Sequence, residues 1–172
     1  MIKLANIFEI DEVLEVISDA KALFKSEGSD QWQDRDNYPN YETIKKDIER
    51  NELYVKLIDG LIVGCVVLSD LEELAYLNIY DGKWETSGHY MTLHRIAVRN
   101  GYYKRGIAKE LINKTIEIAR GKNVSSIKVD TKETNIRMMN LLIKTGFKVQ
   151  GKINLLRDGV IDKVRTALEY KI

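Results

Sequence analysis

Cysteine, proline and histidine are nearly missing from this chain, and each scarcity closes off a class of protein. Among 172 residues there is one cysteine, Cys65, so no intrachain disulfide can form. With only His89 and His94 beside it, no zinc-ligand spacing can be written, and no metal is expected. The one proline, Pro39, stands outside any Pro/Ser-rich or low-complexity stretch that would act as a linker. Internal repeats are missing too, and the length suits one domain over residues 1–172. No apolar run approaches the ~18 residues of a membrane span. The N-terminus lacks the apolar segment of a signal peptide. A cytoplasmic protein without a membrane partner is the expectation. Charge of one sign is also lacking: 27 basic against 26 acidic residues leave a net charge of +1. Nucleic-acid binding, which needs a basic surplus, is not expected.

What is present is an ordinary globular mixture, 44% hydrophobic and 31% charged. Ile2 to Leu4 can start a strand. Asp11 is a good N-cap for a helix carrying Val13, Val16, Ile17, Ala20, Leu23 and Phe24 at helical spacing, ended by Gly28. Residues 29–39 mix polar and aromatic side chains and read as a loop. A short helix begins near Asn40 with Ile44 and Ile48 on one face. Tyr54 to Ile58 and Leu61 to Leu68 are β-rich runs joined by Asp59-Gly60, a dipeptide suited to a two-residue hairpin. Residues 69–89 resist assignment. Beyond them the pattern predicts a strand over Tyr90–Val98 and a helix carrying Ile107, Leu111, Ile112, Ile116 and Ala119, with Gly121 as its C-cap. A short strand at Ser126–Asp130, a helix from Asn135 to Lys144 ended by Gly146, and two strands, Phe147–Leu156 and Val164–Lys171, around Asp158-Gly159 complete the chain. This order fits an α/β (α+β) mixed sheet with helices on both faces.

The stretch from Leu93 to Ala108 carries the chemistry. A strand, Leu93-His94-Arg95-Ile96-Ala97-Val98, runs into the basic turn Tyr103-Lys104-Arg105-Gly106, and Ile107-Ala108 then open a helix. The first amides of a helix have no intrahelical acceptor, the dipole adds positive charge, and glycine lets a phosphate approach the backbone. Lys104 and Arg105 add full charges. The same pattern also describes an ordinary surface β-α turn. Neither G-x-x-x-x-G-K-[ST] nor G-x-G-x-x-G is present, so a P-loop nucleotide and a Rossmann dinucleotide are set aside.

At residues 93–151 the chain resembles the general N-acetyltransferase (GNAT) superfamily. Gly106 and Ala108 match its [Q/R]-x-x-G-x-[G/A] signature, with Tyr103 departing at the first position. Val129-Asp130, Asn135 and Thr145-Gly146-Phe147 are similar to its second block, with Met138 in place of a small residue. Gln31-Trp32-Gln33, Tyr38-Pro39-Asn40, Trp84, Tyr90, His94-Arg95, Asp130-Thr131 and Gly151 resemble a bacterial subgroup of that superfamily. The resemblance implies a central, mostly antiparallel sheet, splayed open, with acetyl-CoA between the Tyr90–Val98 and Ser126–Asp130 strands. It implies that the backbone of Ile96, Ala97 and Val98 pairs with the pantetheine arm, as an added strand would. Amides of Lys104, Arg105, Gly106, Ile107, Ala108 and Lys109 would hold the pyrophosphate. Asn135 would contact the cofactor near its sulfur, with Met138 beside it.

Direct acetyl transfer needs a neutral amine, donors near the thioester oxygen and a proton for the thiolate. A lysine-like acceptor of pKa ~10.4 costs roughly 4–5 kcal/mol to deprotonate at neutral pH, an α-amine near ~8 only about 1 kcal/mol. Many relatives place a tyrosine acid four residues before the Gly-Phe pair, where this chain has Leu142. His94 is the best replacement, on one strand face with Tyr90 and Thr92, since its ordinary pKa suits proton transfer. A hydrogen-bonded structural histidine fits the same position. Asp130 is the second choice, or else a strand-end partner for a backbone amide or Arg95. Trp32, Gln33 and Tyr38 can line an acceptor pocket or pack their loop onto the core. Arg120, Lys122 and Lys128 read as a solvated face, and Cys65 as a small core residue.

The function expected is therefore acetyl transfer from acetyl-CoA to an amine of a small molecule, amino acid, antibiotic or peptide N-terminus. A non-catalytic acyl-CoA sensing module is the alternative that Leu142 favours. A ligand-free dimerising domain is a third, against which the basic turn speaks. The closing strands offer pairing for a homodimer. Acceptor choice belongs to the loops at 29–40, 69–89 and 154–163.

Overall fold

The computed structural model describes residues 1–160 and 162–172. Ile161, in the loop at 154–163, lies outside the described residues. The chain divides into two compact units, the first formed by Met1–Leu68 with Arg95–Lys114, the second by Ser69–His94 with Thr115–Ile172. Among the described residues the fold is mixed α/β, with seven strands in an open, mostly antiparallel sheet and four α-helices.

In the first unit, β1 (Ile2–Leu4) pairs antiparallel with β2 (Leu53–Ile58), and β2 with β3 (Leu61–Ser69). Asp59 and Gly60 between β2 and β3 take φ of 50° and 81°, the left-handed pair that a tight hairpin turn requires. The first helix starts earlier than Asp11 suggests. Asn6 and Glu9 form a reciprocal capping box around a 3-10 turn at Ile7–Glu9, and α1 (Ile10–Ser26) rolls on from it. Asp11 instead lies in the first turn, where its charge meets the helix dipole. Asn40 caps α2 (Tyr41–Glu49) by accepting from the Thr43 amide at 3.1 Å. Val13, Val16 and Ile17 of α1 and Ile44 and Ile48 of α2 close over Val55, Ile62 and Cys65.

Strand β4 (Tyr90–Val98) begins in the second unit and ends in the first, where the Arg99 amide bonds to Val63 O at 2.9 Å. Helix α3 (Ile107–Arg120) follows. Its inner face approaches β3 so closely that a Cβ on Gly64 would lie 2.8 Å from Ile107 Cγ2 and 3.1 Å from Leu111 Cδ1. The chain leaves α3 without a left-handed cap. Gly121, the expected C-cap, directly follows the last helical residue and donates to Ile118 O at 3.1 Å in a tightened last turn.

In the second unit the start of β4 pairs in parallel with β5 (Ser126–Thr131), Tyr90 opposite Ser126 and Thr92 opposite Lys128. β5 pairs antiparallel with β7 (Val164–Lys171), and β7 with β6 (Lys148–Asn154). Strand β7 thus has neighbours on both sides, which closes the expected route to a dimer through that strand. Asn135 caps α4 (Ile136–Lys144) by accepting from the Met138 amide. Residues 69–89 form a 3-10 turn at Leu74–Asn78 and then a strap along β6, where Tyr80 and Lys152 exchange backbone bonds of 2.9 and 2.8 Å. No helix of the described residues is long and apolar enough to cross a membrane.

Candidate functional site

Within the first unit, β4 delivers the chain to the turn before α3. Lys104 and Gly106 take φ of 62° and 79°, which folds the backbone back on itself just before the helix. The Gly106 carbonyl accepts the first helical bond, from the Glu110 amide at 3.0 Å. The amides of Ile107, Ala108 and Lys109 therefore belong to the first turn, where helix geometry provides no acceptor. A Cβ on Gly106 would meet no atom within 4 Å. Lys104, Arg105, Gly106 and Lys109 are exposed, Ala108 half-buried and Ile107 buried, and Arg105 lies 4.9 Å from the Tyr102 ring centroid. Glu110 could oppose an anion in this first turn, but Lys56 neutralises it at 2.5 Å. Backbone donors, three exposed cations and a compensated carboxylate suit a pyrophosphate.

Upstream, β4 contains a bend. Arg95 takes φ 51° in mid-strand, and Ala97 is buried while Ile96 and Val98 are half-buried. Arg95 Nε and Nη2 each lie 2.7 Å from the Asp47 carboxylate, and Nη1 donates to Tyr38 Oη at 2.8 Å. Burial alone would pull the guanidinium down, but Tyr38 and Asp47 hold it above its ordinary value. Cys65 donates its thiol to Arg95 O at 3.7 Å, and burial pushes that thiol up to about 12. It is the core residue that its apolar strand suggested.

The early loop is fastened to the same unit. Trp32 meets Phe24 edge-on at 5.4 Å and packs against the core. Exposed Gln33 donates to Lys21 O at 3.0 Å, and Tyr38 is engaged by Arg95. Of the two readings left open for these residues, the observed contacts are those of packing and anchoring.

The second unit gathers a different set. Partners across a sheet share a face, so Tyr90, Thr92, Ser126, Lys128 and Glu169 point together. Over them lies the segment that resisted assignment. Tyr76 donates to Asp130 Oδ2 at 2.7 Å, Trp84 Nε1 donates to Tyr76 O at 2.9 Å, and Tyr76 and Tyr90 rings are 6.4 Å apart. Burial raises the Asp130 carboxyl above the usual carboxylate range, although Tyr76 and Arg165 counter it. Burial also raises Tyr90 and, with Asp130 beside it, lifts Tyr76 well above the ordinary phenol value. Tyr90 and Asp130 are thereby brought together around Tyr76, while half-buried His94 sits at the unit's last position on β4.

Two expectations need correction here. Lys128 is no part of a solvated face: it is 5% exposed, with Nζ 3.9 Å from the Tyr90 ring centroid and 4.5 Å from that of Trp84. Its place on a central strand opposite Glu169 explains its burial. Asp130 takes Tyr76 as its partner, and Arg95 takes Asp47. Sequence reasoning missed Asp47, Tyr76 and Glu169 altogether. A charged residue on the apolar face of α2, one position before Ile48, was the one local sign of Asp47. Leu142, in the position of the family's tyrosine, is fully buried.

A family model described as the acetyltransferase (GNAT) family matches residues 17–147. A GNAT-family acetyltransferase structure from Streptococcus agalactiae is 36% identical, covers 100% of this chain and 95% of its own, and superposes with a TM-score of 0.88. A ribosomal-protein-alanine N-acetyltransferase from Brucella melitensis shares the fold at 17% identity and TM-score 0.72, covering 100% of this chain and 99% of that one. So does a PaiA N-acetyltransferase from Thermoplasma acidophilum in complex with coenzyme A, at 17% identity and TM-score 0.69, covering 100% and 98%.

Proposed function

The chain belongs to the acetyltransferase (GNAT) family, and from that premise we propose that it moves an acetyl group from acetyl-CoA to a primary amine of a small molecule, amino acid or peptide, in the cytoplasm. The turn before α3 carries this reading: left-handed Gly106 opens onto first-turn amides flanked by Lys104 and Arg105. Amides from Lys104 to Lys109 would hold the pyrophosphate of acetyl-CoA, and the peptide groups of Ile96, Ala97 and Val98 its pantetheine arm. The requirement is for backbone, small residues and charge, which the turn supplies despite Tyr103 at the motif's first position.

In transfer the amine nitrogen bonds to the acetyl carbon as the carbon–sulfur bond breaks, and the amine's proton must leave while the thiolate gains one. We assign the relay to His94, which takes the amine's proton and hands one to the thiolate, because Leu142 has no proton to donate. Asn135 is assigned to the cofactor, its side chain already fixed by the Met138 amide. Asp130 and Tyr90, steadied by Tyr76, are assigned to proton handling, and Trp32, Gln33 and Tyr38 to the acceptor's side.

Thiol release from acetyl-CoA against a panel of amines tests the reading. Acceptor-dependent release with a mass gain of one acetyl group is the expected result; tight acetyl-CoA binding without release on any amine would mark a sensing module. His94→Gln should keep cofactor affinity and lower kcat/KM by ~10²–10⁴, the range for losing a general base. The acid limb of the wild-type pH profile should vanish in this variant. Wild-type turnover with an unchanged limb would leave His94 structural and hand that limb to the acceptor amine.

A further inference from the structure

A strand seldom tolerates a long side chain at positive φ, because the Cβ crowds the following carbonyl. Arg95 does this inside β4, at φ 51°. Three residues converge on it. Asp47 grips Nε and Nη2 at 2.7 Å each, Tyr38 Oη accepts from Nη1 at 2.8 Å, and the Cys65 thiol donates to the Arg95 carbonyl at 3.7 Å. Side chain and main chain are thus both pinned. Asp47 is 2% exposed, and a buried ion pair is weak as a source of stability compared with apolar groups of the same volume. Its geometry calls for another explanation. Tyr38 and Asp47 come from one continuous piece of chain, since Asn40 caps α2 two residues after Tyr38. That piece holds the bend immediately before Ile96, Ala97 and Val98.

We propose that Asp47 and Tyr38 are positioning residues: through Arg95 they hold the left-handed bend of β4, and the bend aims the peptide groups of Ile96 to Val98 at the pantetheine arm of acetyl-CoA. This rests on the cofactor reading above. The clamp acts on backbone direction, and its charge touches no reacting atom.

Two double variants separate that role from simple stabilisation. Asp47→Asn with Arg95→Met removes the clamp and keeps a side chain at the bend. Asp47→Asn with Arg95→Gly removes the same charges but leaves a residue that takes positive φ freely. Acetyl-CoA affinity is measured by calorimetry and stability by urea unfolding. The methionine protein should bind acetyl-CoA about tenfold more weakly than wild type, and the glycine protein within about threefold of it. The glycine protein should nevertheless be the less stable one, because it leaves the larger cavity. Affinity that follows stability, or equal affinity in both, would overturn the clamp. Should the methionine protein not fold, Arg95→Lys decides. It keeps one charge but loses the fork, and should bind about fivefold more weakly; unchanged affinity would overturn the proposal. Wild-type protein that binds no acetyl-CoA would remove the cofactor reading itself, and the clamp's purpose with it.

Discussion

In the first unit, the buried cation Arg95 meets Asp47 through two 2.7 Å contacts and a tyrosine hydroxyl, on a bend of the main chain. In the second unit, buried Glu169 accepts from the Glu85 amide at 2.7 Å and from Thr86 Oγ1 at 2.5 Å, while Lys128 rests on the Tyr90 and Trp84 rings. The first arrangement sets a direction for backbone groups. The second ties down a covering segment that has little regular structure of its own. On the proposed reading the cofactor contacts come from main chain, which tolerates Tyr103 at the motif's first position. A region that depends on side-chain pairs has no such freedom.

The sharpest way to break that contrast is at Gly106. A Cβ at position 106 meets no atom within 4 Å, so Gly106→Glu costs about 1–2 kcal/mol for a left-handed side chain. It should abolish acetyl-CoA binding by calorimetry, an effect of roughly a thousandfold or more, by placing like charge among the phosphate donors. Unchanged affinity in a folded variant would move the pyrophosphate elsewhere. Glu169→Ala should do the reverse. It strands the Glu85 amide and takes one partner from Thr86 Oγ1, which keeps Ser126 Oγ at 2.9 Å, and should cost about 1–3 kcal/mol in urea unfolding. A loss below about 1 kcal/mol would mean that the strap is held by its apolar contacts alone.

The smallest effect is a pH dependence. The folded carboxyl of Asp130 titrates above its ordinary ~4 because of burial. Between that ordinary value and the raised one, the native state binds more protons than the unfolded chain, so this group's contribution to stability falls as pH rises. Asp130→Asn lacks the titration, and its stability relative to wild type should improve with pH across the same window. Tyr76→Phe removes the donor that favours the carboxylate, and should extend the wild-type decline to higher pH. Parallel stability curves for wild type and Asp130→Asn would contradict the burial assignment.

The elements most legible in the sequence are those whose causes are local. Asn40 capping α2, Asp59-Gly60 turning β2 into β3, and Gly106 before α3 each act within a few residues of themselves. The start of α1 was local too, but two signals competed, and the box of Asn6 with Glu9 prevails over Asp11. Lys128, Asp47, Tyr76 and Glu169 defeat sequence reasoning for another reason. Tyr76 meets Asp130, Arg95 meets Asp47 and Thr86 meets Glu169 across dozens of intervening residues, and spacing along the chain does not encode such meetings. Leu142 is the converse case, where a missing side chain was visible at once and its burial agrees.

The strap along β6 has a consequence for how copies of this protein meet at high concentration. An open edge strand presents unpaired amides and carbonyls on which another chain can add. Here Tyr80 and Lys83 occupy Lys152 and Gln150 with backbone bonds of 2.8–3.1 Å. The approach is close enough that a Cβ on Gly151 would lie 2.7 Å from the Tyr80 carbonyl oxygen, and one on Gly82 only 1.9 Å from that of Gln150. Two glycines facing each other across the gap therefore let the chain cap its own sheet margin. Along that stretch β6 offers a crowded molecule no template for aggregation.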